Sequence, residues 1–155
     1  MNAPFAPHLA EVARTPRSWK YELKETLELS LVSPDHKLFI PGGHAQLISA
    51  HRSFVMADIH VDRLIVHEGL YYDGSTWAFD WGVMQRGAAF HDVLCDAADR
   101  GEIPAENQPI ADLIMRDVWL SDAACVRPWL RRAYVPYVHA RYAAVRTFQR
   151  AQHGF

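Results

Sequence analysis

AAFHDVLCDAADRG, residues 88–101, marks the point at which the chain changes from strand-like to helix-like patterning. Its alanine, valine and leucine residues recur at intervals of three and four, which is the spacing of one face of an α-helix. Gly101 follows the last of them, where helices commonly end in a glycine. The stretch therefore predicts an amphipathic helix.

The residues before this helix predict short strands. From Trp19 to Leu31, leucines alternate with polar residues, and a period of two is typical of a half-buried strand. Turn residues separate further apolar segments, which lie at residues 37–40, 45–48, 54–59 and 63–67. The first half of the chain is therefore predicted to be mainly β.

Two more helices are predicted after the first. The second begins near Asn107 with Pro109 in its first turn, and the third follows Asp122, which we expect to cap it. Pro136 is expected to kink or divide the third helix. The prediction is an α+β fold, in which a β-rich N-terminal half, with hairpins or a small curved sheet, packs against a helical C-terminal half.

The chain of 155 residues is long enough for one hydrophobic core and too short for two ordinary domains. We expect residues 18–155 to form a single α+β domain. Residues 1–17 hold three prolines among small and polar residues, so we predict an extended arm without regular secondary structure. An assembly arm should contact another subunit or a groove, whereas removal of a loose tail should leave stability unchanged.

Composition narrows the classes of function. The net charge of -2 gives no basic footprint for general nucleic-acid binding, so no nucleic-acid partner is expected. Two cysteines without a C-x-x-C pair exclude a disulfide scaffold and a zinc-knuckle framework. No apolar run approaches the roughly 18 residues that a membrane span needs, and the N-terminus lacks the pattern of a signal peptide. We expect neither a membrane span nor a signal peptide.

Charge is unevenly distributed in the helical half. Residues 86–122 contain eight acidic residues against three arginines, whereas residues 123–155 contain six arginines and no acidic residue. Opposite charge predicts that these helices pack together, and an anion-binding site is the alternative.

His91 and Asp92 are the candidate chemical residues of the first helix, since a histidine can exchange a proton near neutral pH. If the first two helices form an antiparallel hairpin, Asp112 lies at a similar height to His91 and can orient its ring. We therefore predict His91 and Asp112 within direct or one-water hydrogen-bond reach, as a catalytic base and its orienting carboxylate. The alternatives are a histidine bonded to backbone and a surface ion pair between Asp112 and Arg116.

The segment around residues 73–75 is a second candidate site. An Asp-Gly turn followed by hydroxyl residues can meet a ligand or ion, so Asp73 and Ser75 are candidate binding residues. Asp73 and Asp92 are candidate ligands of a divalent cation, calcium or zinc; an ordinary turn is the alternative. Cys95 shares a helical face with His91, so it is either a core residue or half of a Cys-His pair.

The order of these motifs resembles a known family. Asp73-Gly74-Ser75, His91-Asp92-Val93-Leu94, Ala111-Asp112 and a closing Val145-Arg146 are similar to the mainly bacteriophage-encoded domain of unknown function family 1353, over about residues 60 to 148. Two positions depart from the family's pattern. Trp77 stands where the family tends to have proline, and Cys95 stands where it tends to have tyrosine.

The resemblance implies a phage or prophage gene product, located in a virion or in the cytoplasm of a bacterial host. The H-D motif followed by a later aspartate also resembles secreted phospholipases of the A type. That likeness implies that His91 activates water, Asp92 holds calcium and Asp112 orients the histidine.

Two functions follow from these resemblances and remain open at this point. One is a virion or tail-associated protein with a His-Asp-Asp polar site, whose partners are other phage proteins or further copies of itself. The other is a phage-encoded hydrolase of a cell-envelope substrate, with His91 as base and a divalent cation nearby.

Overall fold

A computed structural model describes residues 9–11, 21–49, 54–72 and 82–154 of the chain. Within them the fold is α+β, as predicted, with strands in the N-terminal half and helices in the C-terminal half. The strands are β1 (Leu9–Glu11), β2 (Tyr21–Leu23), β3 (Leu27–Ser30), β4 (His44–Ile48), β5 (Val55–His60), β6 (Arg63–Val66) and β7 (Tyr71–Tyr72). The helices are α1 (Gly82–Asp99), α2 (Gln108–Ala124) and α3 (Pro128–His153), with short 3-10 turns at Pro34–His36 and Ala105–Asn107.

The described strands form two antiparallel sheets. The smaller has the order β1-β2-β7 and the larger β3-β6-β5-β4. In the larger sheet Leu27 lies opposite Val66 and Ile59 lies opposite Leu64, and all four side chains are buried. This apolar face packs in one core with Phe90 of α1, so the sheet supports the first helix.

The first strand corrects part of the prediction for the arm. Leu9–Glu11 pairs with Tyr21–Leu23 in an antiparallel register, so the prediction that residues 1–17 lack regular secondary structure is wrong here. The physical reason is that the prolines of this segment lie outside Leu9–Glu11, which keeps its backbone N–H groups for pairing. The rest of the predicted arm lies outside the described residues.

The helices begin and end near their predicted positions, with two differences. Asp122 lies inside α2 instead of capping α3, and α3 continues through Pro136 as one helix of 26 residues. Pro136 and Arg132, whose carbonyl loses its helical donor, are both exposed. Water can therefore bind that carbonyl, and the helix is not divided.

A smaller second core joins the three helices. Trp119 is buried, and its Nε1 donates a hydrogen bond of 2.7 Å to the carbonyl of Met84. A Cβ on Gly87 would lie 2.5 Å from Trp119 Cδ1, a distance at which atoms overlap. Glycine at residue 87 therefore allows α1 and α2 to approach closely at this level.

Asn107 links the helical half to the β half. It is completely buried, and its Oδ1 accepts a hydrogen bond of 2.7 Å from the backbone N–H of Phe39. Its Nδ2 donates to the carbonyls of Phe39 and Pro104, at 2.7 Å and 3.0 Å. One side chain thus satisfies both backbone groups of Phe39 at the start of α2.

Candidate functional site

Three helices each supply one side chain to a buried ionic cluster. His91 of α1 donates from Nε2 to Oδ1 of Asp112 on α2, at 2.8 Å. Arg146 of α3 donates from Nη1 to the other oxygen of Asp112, at 3.0 Å. We call His91, Asp112 and Arg146 the helix network. The predicted contact between His91 and Asp112 is confirmed, whereas their catalytic roles remain predictions.

The antiparallel course of the helices explains this convergence. α1 and α2 are joined by a short connection that includes the 3-10 turn at Ala105–Asn107, so the middle of α1 lies beside the early part of α2. α3 runs back along α2, and this brings Arg146, from its C-terminal half, to the level of Asp112. The position of Asp112 is thus set by its place in two consecutive helical hairpins.

Two further side chains contact His91. Its Nδ1 lies 3.5 Å from Oδ1 of Asp92, and the Sγ of Cys95 lies 3.5 Å from Nε2 and 4.0 Å from Nδ1. The Cys95 contact is the i,i+4 neighbourhood expected on a helix. The His91 side chain is 13% exposed and that of Asp92 is 25% exposed, whereas Asp112 has no exposed surface.

These contacts change the protonation of His91. Burial alone would lower its pKa, but the neighbouring Cys95 and hydrogen bonds to Asp112 and Asp92 outweigh burial and raise the pKa well above 6.5. The raised pKa favours the imidazolium form of the ring, in which each nitrogen carries a proton. Its positive charge and that of Arg146 face the carboxylates of Asp112 and Asp92.

The predicted cation site has one described member. Asp73 and Ser75 lie outside the described residues. Of the residues predicted to hold a cation, the structure therefore describes Asp92. Among residues 9–11, 21–49, 54–72 and 82–154, no group of three or more His, Cys, Asp or Glu side chains is placed to hold a metal ion. Calcium and zinc each require several ligands, and Asp92 alone does not supply such a set.

A second buried ion pair joins α1 and α2, and it was not predicted from the sequence. Asp122, predicted as a cap, accepts from Nη2 of Arg86 at 2.5 Å and from its Nε at 3.2 Å. Burial raises the pKa of Asp122 to about 6, although Arg86 acts in the opposite direction. The hairpin register that placed Asp112 beside His91 also places Asp122 beside Arg86, so the signal was present in the sequence.

Another histidine-aspartate cluster lies on the larger sheet. Asp58 of β5 accepts from Gln46 Nε2 at 2.8 Å, and the Nε2 atoms of His67 and His44 lie 2.7 Å and 3.2 Å from its two oxygens. The His44 ring stacks on His60 with ring centroids 4.5 Å apart. We call Asp58, Gln46, His44 and His67 the sheet cluster. The sequence did not predict their assembly, because the strand pairing that joins them was not known.

The contacts of the sheet cluster lower the pKa of Asp58, whereas burial raises the pKa of Asp122. Hydrogen bonds from Gln46 and His67, and less strongly from His44, lower the pKa of Asp58 to about 2. Its side chain is 22% exposed, so the charged form keeps contact with water.

Comparisons with known proteins add no relative: no family model, no curated protein and no solved structure matches the chain. Among the helices that the structure describes, none combines the length and the apolar character needed to cross a membrane.

Proposed function

We propose that the chain is a phage or prophage protein, associated with the virion or tail, in which the helix network has a structural role. The motif order that resembles a phage-encoded family supports the phage context. Three of those motifs, H-D, A-D and V-R, supply His91, Asp112 and Arg146. Because these residues lie on three different helices, their contacts fix how α1, α2 and α3 pack together.

The complete occupation of Asp112 is the observation that carries this role. One of its oxygens accepts from His91, the other accepts from Arg146, and the side chain has no exposed surface. A carboxylate in this state cannot contact a substrate directly. Its removal would leave two cations in a largely buried place without their internal partner, which is strongly destabilising.

The protonation of His91 also supports a structural role for the helix network. Its raised pKa favours the imidazolium form, and an imidazolium has no lone pair with which to take a proton from water. In this form the ring cross-links α1 to α2 through a charge-assisted hydrogen bond.

Thermal melts of the wild type and of a His91→Ala, Asp92→Asn double variant test this role. Each buried partner left unsatisfied costs about 1–3 kcal/mol, so we expect the melting temperature of the double variant to fall by several degrees. Calcium, zinc or a chelator should change neither melt. Asp96→Asn on α1 is the matched control, since it removes one half of a partly exposed ion pair with Arg100, which follows the helix, and should cost below about 1 kcal/mol.

Either of two results would contradict the structural role. One is a double variant that melts with the wild type, and the other is a metal-induced rise in melting temperature confined to the wild type. Virion association has its own test, which is mass spectrometry of purified particles from a strain that carries the gene. Absence of the chain from intact particles that contain the other structural proteins would remove that part of the proposal.

A hydrolase of a cell-envelope substrate is the second candidate, favoured by which nitrogen of His91 faces Asp112. Asp112 holds Nε2, and Nδ1 is left on the side of Asp92, which is 25% exposed. A carboxylate on one ring nitrogen and a water on the other is the arrangement of a His-Asp general base. Neutral His91 would take a proton from water at Nδ1 while the hydroxide attacks an ester or amide carbonyl. The imidazolium would then return that proton to the alcohol or amine that leaves as the C–O or C–N bond breaks.

The pH dependence of hydrolysis separates this candidate from the structural role. Because the base form exists only above the raised pKa of His91, the rate should increase as the pH rises above neutrality. The measurement is the rate of release from a nitrophenyl ester and from purified envelope fragments across pH. His91→Ala should abolish the reaction and Cys125→Ala should not; equal rates in both variants, or no reaction at alkaline pH, would eliminate the hydrolase.

A further inference from the structure

Exposed cations surround an exposed tryptophan at the start of α3. Arg127, Arg131 and Arg132 are exposed, and Trp129 is 66% exposed. None of the three arginines has an ion-pair partner among the described residues. We call Arg127, Trp129, Arg131 and Arg132 the basic patch.

Arg127 is the N-cap of α3 and Arg131 lies in its first turn, and both positions are unfavourable for a cation in the helix itself. The N-terminus of a helix carries a partial positive charge, which disfavours cations and favours acidic residues. α3 has no acidic residue in its first turn, and no acidic residue occurs anywhere in residues 123–155. The dipole of α3 therefore does not account for this arrangement, and an external acidic surface would complement it.

An acidic surface with its own exposed aromatic lies at the opposite end of α2. Asp99, Glu102 and Glu106 are exposed in and beside the connection between α1 and α2, and the exposed Arg100 between them is paired with Asp96 of α1. Phe39 is 64% exposed, and both of its backbone groups are bonded to the side chain of Asn107, next to Glu106. We call Phe39, Asp99, Glu102 and Glu106 the acidic patch.

The two patches cannot meet within one chain. The 17 residues of α2 separate the two connections, which corresponds to about 25 Å of helix. Each patch carries three charges of one sign and one aromatic side chain, and the signs are opposite. Two copies of the chain placed head to tail bring the acidic patch of one onto the basic patch of the other and leave one patch of each sign free.

We propose that a second copy of this chain docks head to tail, with its acidic patch on the basic patch. The same surface pair recurs at the free ends, so the contact is heterologous and produces rings or open filaments instead of a closed dimer. This contact does not depend on whether the helix network is structural or catalytic, since neither patch includes a network residue.

Sedimentation of the full chain over a concentration series tests the proposal. At about 0.05 M salt, we expect the mean mass to rise with concentration above the 17.7 kDa of one chain. At about 0.5 M salt, where screening shortens the reach of surface charges, the monomer should be recovered. Trp129→Ala should weaken association at about 0.05 M salt.

Charge exchange identifies the partner surface. Arg131→Glu with Arg132→Glu should abolish association, and so should Glu102→Arg with Glu106→Arg, because each variant presents like charges at both ends. An equimolar mixture of the two variants should associate again. Glutamate near the start of α3 suits the helix dipole, so loss of association by the first variant does not reflect unfolding, and circular dichroism verifies this.

The control is Lys24→Glu with Arg63→Glu, which makes the same change of charge in the β half and should associate like the wild type. A wild type that remains monomeric at low salt overturns the proposal, even if it binds anionic vesicles or nucleic acid instead. Association of the wild type without recovery in the mixed variants also overturns it, because the basic patch would then have another partner.

Discussion

The helix network and the sheet cluster are built from the same chemical groups, but they differ in burial. Asp112 has no exposed side-chain surface and contacts one histidine and one arginine. Asp58 is 22% exposed and contacts two histidines and a glutamine. In the first, a charge is compensated almost entirely by other charges of the chain. In the second, water shares the compensation, so the loss of one partner should be tolerated.

A His-Asp contact therefore has no fixed energetic value. A buried pair is costly to break, because the remaining charge keeps its desolvation penalty without its attraction. An exposed pair contributes below about 1 kcal/mol, because water replaces the lost partner. Burial therefore decides which of the two clusters controls the stability of this protein.

Asp112→Asn is the substitution for which we expect the largest effect. It keeps the shape of the side chain but removes the charge that His91 and Arg146 share, at a cost of about 3 kcal/mol. The melting temperature should fall by roughly 10 °C. Asp58→Asn is the matched control and should cost below about 1 kcal/mol in urea unfolding. Equal losses in the two variants would show that burial does not distinguish the clusters.

Asn107→Ala tests the effect of burial separately from the effect of charge. The side chain of Asn107 is as buried as that of Asp112 but neutral, and it satisfies the N–H and C=O of Phe39. We expect a loss of about 2 kcal/mol, smaller than for Asp112→Asn, because unsatisfied neutral groups cost less than an unpaired charge. Urea unfolding of both variants at neutral pH measures the two losses of unfolding free energy. A larger loss for Asn107→Ala than for Asp112→Asn would show that charge does not add to the cost of burial.

The sequence predicted the fold class and one contact of the helix network for the same reason, which is that both depend on local patterns. Helical periodicity and a short connection set the register of α1 against α2, and this register brought Asp112 to His91. The partnership of Arg146 required the course of a third helix. The contact of Asn107 with Phe39 joins residues 68 positions apart in sequence, and no local pattern reports such a distance.

The contacts of the sheet cluster could not be predicted from the sequence, for a related reason. Strands were predicted near β4, β5 and β6, whereas the strand predicted at residues 37–40 is absent and the one predicted from Trp19 to Leu31 is divided into β2 and β3. The order β3-β6-β5-β4 was not predicted, because alternation of apolar residues reports which face is buried and not which strands are neighbours. His67 follows β6, and His44 begins β4, so both contact Asp58 only because β5 lies between these strands.

The pH dependence of stability should also differ between the clusters. The pKa of His91 is raised in the folded chain above 6.5, so the folded state binds the proton more tightly than the unfolded state. Its contribution is fully present below pH 6.5 and is lost as the pH rises through the folded-state pKa. The stability difference between wild type and His91→Gln should therefore shrink at alkaline pH. A difference that grows with pH would contradict the raised pKa.

Asp58 should show the smallest effect, with the opposite sign and in another pH range. Its pKa is lowered from 3.8 to about 2, so the folded state favours the charged carboxylate. The resulting stabilisation is present above pH 3.8 and is lost as the pH falls towards 2. Because water screens this partly exposed group, we expect below about 1 kcal/mol.

The measurement is urea unfolding of wild type and Asp58→Asn between pH 5 and about pH 3, since the variant lacks the titrating group. Asp122 opposes this trend in both proteins, because its pKa is raised to about 6 and its folded state gains stability as the pH falls from 6 to 3.8. The difference between the two proteins removes that common contribution. It should narrow on acidification, and a constant difference would place the stabilising effect of Asp58 in its hydrogen bonds instead of its charge.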